Sequence, residues 1–163
     1  MNKETFDYVA ERVDALADSE FSTQVTKDAA RAWKDTVAAD SSDAAIDAAK
    51  VGARLGDVSH TVEEYCGSRG YGIVREYCGH GIGREMHEDP EVPNYGKPGH
   101  GPRLQKNMTI AVEPMVNAGD YEVRVLDNGW TVVTADGSLS AHYENSLLVT
   151  DGEPEILTFA DDM

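Results

Sequence analysis

Histidines and glutamates supply the residues of this chain that are best suited to chemistry. His80 and His87 lie seven positions apart in a stretch with three glycines that runs from Tyr77 to Glu88. Glu113 and Glu144 each end a largely apolar stretch further along the chain. Imidazole nitrogens and carboxylate oxygens both bind divalent metal ions. The sequence therefore predicts a metal site if the fold brings a loop and two strands together here.

The two glutamates lie in predicted strands, over residues 108–114 and 140–149. Successive side chains of a strand point to opposite faces. This alternation puts Glu113 opposite the apolar side chains of its strand, and it puts Glu144 on the same face as His142. Both glutamates are therefore expected on polar strand faces, and a glycine-flanked loop histidine can approach such faces closely.

Four helices are predicted before these strands. Amphipathic spacing predicts a helix over residues 3–18, and Thr26 is a suitable cap for a second helix. Asp40-Ser41-Ser42 is expected to end the second helix and to cap a third, alanine-rich helix over residues 43–51, which Gly52 ends. The fourth helix is predicted from Leu55 to Cys66.

After Gly70 the pattern changes from helices to strands and turns. A strand is predicted from Tyr71 to Glu76, and the segment from Cys78 to Lys106 is predicted to be a loop whose length indicates a function. The sequences Asp127-Asn128-Gly129 and Ala135-Asp136-Gly137 indicate hairpin turns. Further strands are predicted over 108–114, 121–126, 130–134, 140–149 and 154–158. Helices followed by an antiparallel meander define an α+β fold.

Composition and charge exclude several classes of partner. The chain has 163 residues, enough for one packed domain, and a net charge of −16. Such a charge disfavours nucleic acid and anionic membranes as partners, and an acidic surface also attracts cations weakly without any specific site. The polar N-terminus leads us to expect no signal peptide, and no apolar run approaches the ~20 residues that span a bilayer. The two cysteines are expected to be free thiols in a cytoplasmic protein.

Several ordered motifs resemble the C-terminal half of type I methionine aminopeptidases. The likeness covers residues from about Lys50 to Thr158. It implies half of a pita-bread fold, an antiparallel sheet with helices on one face, in a family that removes the initiator methionine at a two-metal centre. The motifs are Tyr77-Cys78-Gly79-His80-Gly81-Ile82-Gly83, His87-Glu88-Asp89-Pro90, Gly101-Pro102-Arg103-Leu104, Thr109 to Gly119, Gly129-Trp130-Thr131 and Ser140-Ala141-His142-Tyr143-Glu144.

The resemblance implies roles for individual residues. His80, Glu113 and Glu144 match metal ligands, and Glu144 matches the carboxylate that bridges both ions. Glu113 also matches the general base that acts on the attacking water. His87 matches a histidine that hydrogen-bonds the substrate or the tetrahedral intermediate. Such a site needs hard carboxylate oxygens, an imidazole and a second acid–base group.

Other residues resemble parts of the methionine pocket. Trp130 resembles an aromatic near it, although packing after a hairpin is the more common role of such a residue. Tyr77 and Cys78 resemble part of the wall of this pocket. Because no base is evident beside Cys78 in the sequence, a role as a wall residue is favoured over one as a nucleophile. His142 is expected on the surface.

The chain departs from the family in its first part. The family has two further aspartate ligands, which lie eleven positions apart on a strand pair. In this chain, residues 1–49 are predicted to be a helical segment of unknown role, and they precede the half domain of residues 50–163. Asp7 and Asp18 have that spacing, but a helix separates them by roughly 16 Å. We therefore expect at most one ion per chain, whether Co, Mn, Fe or Zn, and weak or no activity alone. The alternative is a non-catalytic half domain that binds a metal ion or a peptide.

The resemblance also predicts partners. The substrate is expected to be a peptide with an N-terminal methionine. An open sheet face that carries the ligands favours association, either as a homodimer or with a separate chain that supplies the N-terminal half.

Overall fold

The computed structural model describes residues 34–158 of the chain. A π-helical turn at Lys34–Ala38 leads into helix α1, Ala39–Ala48, and helix α2 spans Leu55–Gly67. The prediction of α2 is confirmed to within a residue. The helix predicted over 3–18 and most of the one capped by Thr26 lie outside the described residues.

The predicted break at residues 40–42 is wrong, since α1 runs through it. Ser41 and Ser42 are fully buried, and the Ser41 hydroxyl donates a hydrogen bond to the carbonyl of Ala38 at 2.9 Å. A serine that bonds back to the preceding turn can continue a helix instead of capping a new one. The helix ends at Ala48, before a turn in which Gly52 has a φ of +87°.

Ten short strands follow α2, and they form three antiparallel sheets. Five strands pair in the order β10-β9-β4-β2-β3, three in the order β1-β5-β8, and β6 pairs with β7. The strands are β1 Gly72–Ile73, β2 Gly79–Gly81, β3 Glu88–Val92, β4 Thr109–Val112, β5 Met115–Asn117, β6 Val123–Val125, β7 Val132–Thr134, β8 Ser140–His142, β9 Asn145–Leu148 and β10 Glu155–Ile156. The α+β class and the antiparallel pairing are confirmed.

The connectivity differs from the predicted meander. The segment 78–106 is not one loop, because β2 and β3 lie within it. The single strand predicted over 140–149 is two strands, and β8 and β9 belong to different sheets. The hairpin at residues 127–129 is confirmed by the pairing of β6 with β7, but residues 135–137 do not join paired strands. Strands that change sheets cannot be recognised from alternation alone.

Both helices pack against the five-stranded sheet. Side chains of α2, such as Val58 and Val62, are 1% exposed and lie in one apolar cluster with Ile110, Val112 and Leu147 of β4 and β9. Ala45 and Ile46 of α1 join the same cluster. Burial of these side chains holds β4 rigidly, so the residue that follows β4 has a fixed position.

Candidate metal centre

His80 lies on β2, which is a central strand of the five-stranded sheet between β4 and β3. The glycines beside it allow this position. A Cβ at Gly79 would lie 2.2 Å from the carbonyl oxygen of Ala111, and one at Gly81 would lie 2.2 Å from that of Asp89. Only glycine therefore permits the neighbouring backbones to approach so closely. The predicted loop position of His80 is wrong, because the glycines serve strand packing rather than a turn.

Glu113 follows β4 directly and is buried, with 3% of its surface exposed. Its backbone carbonyl accepts a hydrogen bond from the side-chain amide of Asn94 at 3.0 Å. Asn94 is itself 1% exposed and lies in the segment predicted to be a loop. The expected polar, open strand face is thus absent at Glu113, and its carboxylate points into the protein.

The three predicted metal ligands converge. One ligand atom each from His80, Glu113 and Glu144 lies within 4.8 Å of the others. Nε2 of His80 is 3.3 Å from Oε1 of Glu113, while Glu144 is half-buried. The structure thus assembles the three ligands from β2, from the residue after β4 and from the connection between β8 and β9.

The protonation of His80 suits a metal ligand. Its Nδ1 lies 2.8 Å from the carbonyl oxygen of Gly81. A carbonyl only accepts, so Nδ1 carries the proton and Nε2 has a free lone pair. Among the described residues, Nε2 of His80 is buried and makes no hydrogen bond. A buried acceptor nitrogen beside two carboxylates that repel each other fits a divalent cation.

His142 was expected on the surface, and the structure corrects this. It is 8% exposed, and its Nε2 lies 3.2 Å from Oε2 of Glu113. The Glu113 carboxylate therefore has one imidazole near each oxygen. The alternation that placed His142 on the face of Glu144 was the available signal for this contact, whereas nothing in the sequence indicated Asn94.

The predicted substrate-binding residues lie in more open positions. Tyr77 is 39% and Trp130 is 66% exposed, so most of the Trp130 side chain is not buried by the described residues. His87 is also exposed, and its ring centroid is 4.2 Å from that of His80. Cys78 is half-buried, and burial, with the charges of Glu91 and Glu113, raises the pKa of its thiol. A protonated thiol agrees with a wall residue rather than a nucleophile.

A separate cleft of about 480 Å³ lies at the C-terminal end of α2. Its lining includes Glu63, Tyr71, Arg75, Tyr95 and Tyr121, and no candidate metal ligand. The candidate metal centre is therefore a cluster at the sheet and not part of this cleft.

This α+β fold and its His–Glu–Glu cluster match those of the pita-bread metallopeptidases. The chain belongs to metallopeptidase family M24, whose sequence profile matches residues 5–151. This match crosses the boundary predicted between residues 49 and 50, and the described part of that first segment, α1, packs into the common core. The division into two domains stays a prediction.

The similar proteins include methionine aminopeptidases. That of Clostridium acetobutylicum is 59% identical over 116 residues, which are 71% of this chain and 46% of that protein. The crystal structure of the Thermotoga maritima enzyme matches with a TM-score of 0.75 and 52% identity, over 76% of this chain and 50% of that one. The Rickettsia prowazekii enzyme gives a TM-score of 0.76 and 40% identity, over 79% and 52%.

The resemblance to methionine aminopeptidases is thus confirmed, and so is its partial extent. The chain spans about half the length of the curated relatives it matches. Membership of a metallopeptidase family implies a divalent metal ion. Within residues 34–158, neither helix has the length and apolar character of a membrane span. The cytoplasmic location stays a prediction.

Proposed function

We propose that this chain contributes to a metal-dependent aminopeptidase that removes methionine from the N-terminus of peptides and nascent proteins. The convergence of His80, Glu113 and Glu144 is the observation that carries the proposal. The high identity to methionine aminopeptidases supports the choice of substrate.

The ligand residues would hold a divalent ion, which polarises the scissile carbonyl and activates water when bound. His80 is oriented for this by the bond from its Nδ1 to Gly81. Glu113 would hold the proton that the attacking water loses, because its carboxylate lies inside the cluster.

His87 would bind the substrate from the open side. Its ring lies against that of His80 but is exposed to solvent, so an entering peptide can reach it. In this position it can donate a hydrogen bond to the peptide carbonyl as negative charge develops there. Trp130, Tyr77 and Cys78 would contact the methionine side chain.

A homodimer, or a complex with a separate chain equivalent to the N-terminal half, would complete the site. The relatives are about twice as long as the matching region, and the exposed apolar side chains include Tyr77, Trp130 and Tyr143. Two-fold dimers are the commonest oligomers of soluble proteins, and such a dimer would cover these exposed side chains. A metal ion that binds only the assembled site would tighten the association by linkage.

The test of catalysis is hydrolysis of a Met-Ala peptide with added Co(II) or Mn(II). We expect weak, metal-dependent turnover that His80→Ala abolishes. His100→Ala is the matched control, because His100 is exposed, its Nδ1 lies near the carbonyl of Pro98, and it is not one of the clustered ligand residues. Absence of metal-dependent turnover at high protein concentration would contradict catalysis by this chain alone.

The second candidate function is a binding module that holds one ion or an N-terminal peptide without hydrolysis. Three convergent ligands favour it, since three protein ligands with open positions suffice for one ion. Calorimetric titration with Zn(II) and Mn(II) separates the candidates, and one ion per chain without turnover supports binding alone. Sedimentation with and without Mn(II) tests association, and a monomer in both conditions would exclude the homodimer.

A further inference from the structure

We infer that His142 is a positioning residue for Glu113: its Nε2 fixes Oε2 of the carboxylate, so that Oε1 stays directed at His80 and the ligand cluster. The inference rests on the proposed function, because orientation matters only if Glu113 acts as a ligand and base. His142 itself is not among the ligand atoms that lie within 4.8 Å of one another in the described part of the chain.

The backbone fixes the distance between the two residues. Strand β8 pairs with β5 in a register that puts His142 opposite Met115, two positions after Glu113. The next backbone amide, that of Tyr143, donates to the carbonyl of Pro114 at 3.2 Å. These contacts lie next to the Glu113–His142 contact, so the two backbones cannot separate here without opening the sheet.

The contact is isolated from water. Glu113 is 3% and His142 is 8% exposed. Their polar atoms, Oε2 and Nε2, are 3.2 Å apart, while the other carboxylate oxygen is 3.3 Å from Nε2 of His80. An electrostatic contact in such surroundings is stronger than one in water.

A carboxylate needs such a contact to keep its orientation. The last torsion of glutamate is broad, so burial of the chain alone does not fix the plane of the two oxygens. The Nε2 atom of His142, 3.2 Å from Oε2, restrains this plane, and the Asn94 amide holds the backbone of the same residue. Residues that orient a ligand from outside typically contribute about 10–100-fold to metal affinity.

The experiment compares His142→Leu, which has no polar atom, with His142→Gln, which keeps an N–H donor of similar reach. Mn(II) affinity is measured by calorimetry on the full chain, with thermal unfolding of each variant as the check of folding. We expect His142→Leu to lower Mn(II) affinity about 10–100-fold and His142→Gln to recover most of the loss. His100→Gln is the control, since it removes an exposed imidazole that is not one of the clustered ligand residues.

A folded His142→Leu protein with unchanged Mn(II) affinity would overturn the inference, as would equal losses in both variants. Failure of the unmodified chain to bind Mn(II) would overturn the proposed metal function instead. The contact itself is then tested without metal, by the ¹⁵N shifts of the His142 imidazole at fixed pH. We expect the His142 imidazole to carry a proton on Nε2, and we expect its ¹⁵N shifts to change in the Glu113→Gln variant. Unchanged ¹⁵N shifts in that variant would by themselves overturn the inference.

Discussion

The ligand side and the substrate side of the candidate site differ in how the chain builds them. His80 and Glu113 are buried, and strands β2 and β4 hold them in the centre of a sheet. His87, Tyr77 and Trp130 are exposed. The proposed ligand side is thus formed by this chain's own core, whereas the residues of the proposed substrate side are exposed.

This difference indicates that metal binding and peptide binding have different structural requirements in a chain that spans about half the length of its relatives. Metal binding needs atoms fixed to within a fraction of an ångström, and such precision comes from a packed core. Peptide binding needs an enclosing wall, and exposed aromatic side chains form such a wall only when something covers them. We therefore expect changes on the ligand side to have large effects, and changes on the substrate side to have small ones in the chain alone.

The largest effect is expected for Gly81→Ala. The new Cβ would lie 2.2 Å from the carbonyl oxygen of Asp89, so β3 has to move away from β2. We expect a loss of about 3 kcal/mol or more in the free energy of unfolding, measured by urea denaturation. The matched control is Gly67→Ala, where a Cβ meets nothing within 4 Å and should be neutral or slightly stabilising. Equal stability of the two variants would contradict the conclusion that only glycine at position 81 permits β2 and β3 to lie so close together.

The next effect is expected for Glu144→Gln, and its sign depends on the metal. Glu144 and Glu113 have carboxylate oxygens within 4.8 Å, so removal of one charge relieves repulsion in the metal-free protein. We expect a higher melting temperature without metal but Mn(II) affinity lowered by about 100-fold or more, beyond the usual effect of an orienting residue. Glu155→Gln, on the exposed edge strand β10, is the control and should change neither. A melting temperature that falls without metal would exclude the repulsion.

A small effect on stability is expected for Trp130→Ala. Trp130 is 66% exposed, so its removal should change the free energy of unfolding by no more than about 0.5 kcal/mol. Ile110→Ala, in the core beneath the ligand side, should cost about 2–5 kcal/mol in the same assay. Loss of methionine-peptide binding in Trp130→Ala, with stability retained, would place Trp130 on the substrate side. A large loss of stability would instead make it a packing residue.

The smallest effect concerns the acid stability of the turn at Asp136. Asp136 accepts hydrogen bonds from the backbone amides of Ser138 and Asp120, both at 2.9 Å, and these lower its pKa from 3.8 to about 2. A lowered pKa in the folded state stabilises the fold above the unfolded value, and this contribution is lost as the pH falls towards 2. Asp136→Asn should therefore lower the urea midpoint slightly at pH 6 and by less at pH 2. A difference that stays constant over this range would contradict the prediction.

The sequence by itself predicted the family, the α+β class, helix α2 and the three residues that converge as candidate ligands. These depend on local periodicity and on ordered motifs, which a single chain displays directly. Prediction from the sequence failed where one residue type has two possible structural roles. The glycines beside His80 indicated a loop, but they permit close strands, and the serines before residue 43 indicated a break, but they lie buried within α1.

Only the tertiary structure decided how the strands divide among three sheets and what surrounds Glu113. His142 and Asn94 are 29 and 19 positions away from it in sequence, and their contacts arise from the pairing of β5 with β8 and from the burial of the segment after β3. Alternation gives the face on which a side chain lies within its own strand, but not which other strand packs against that face. The partners of a buried carboxylate are therefore set by long-range pairing, and no local pattern in the sequence specifies them.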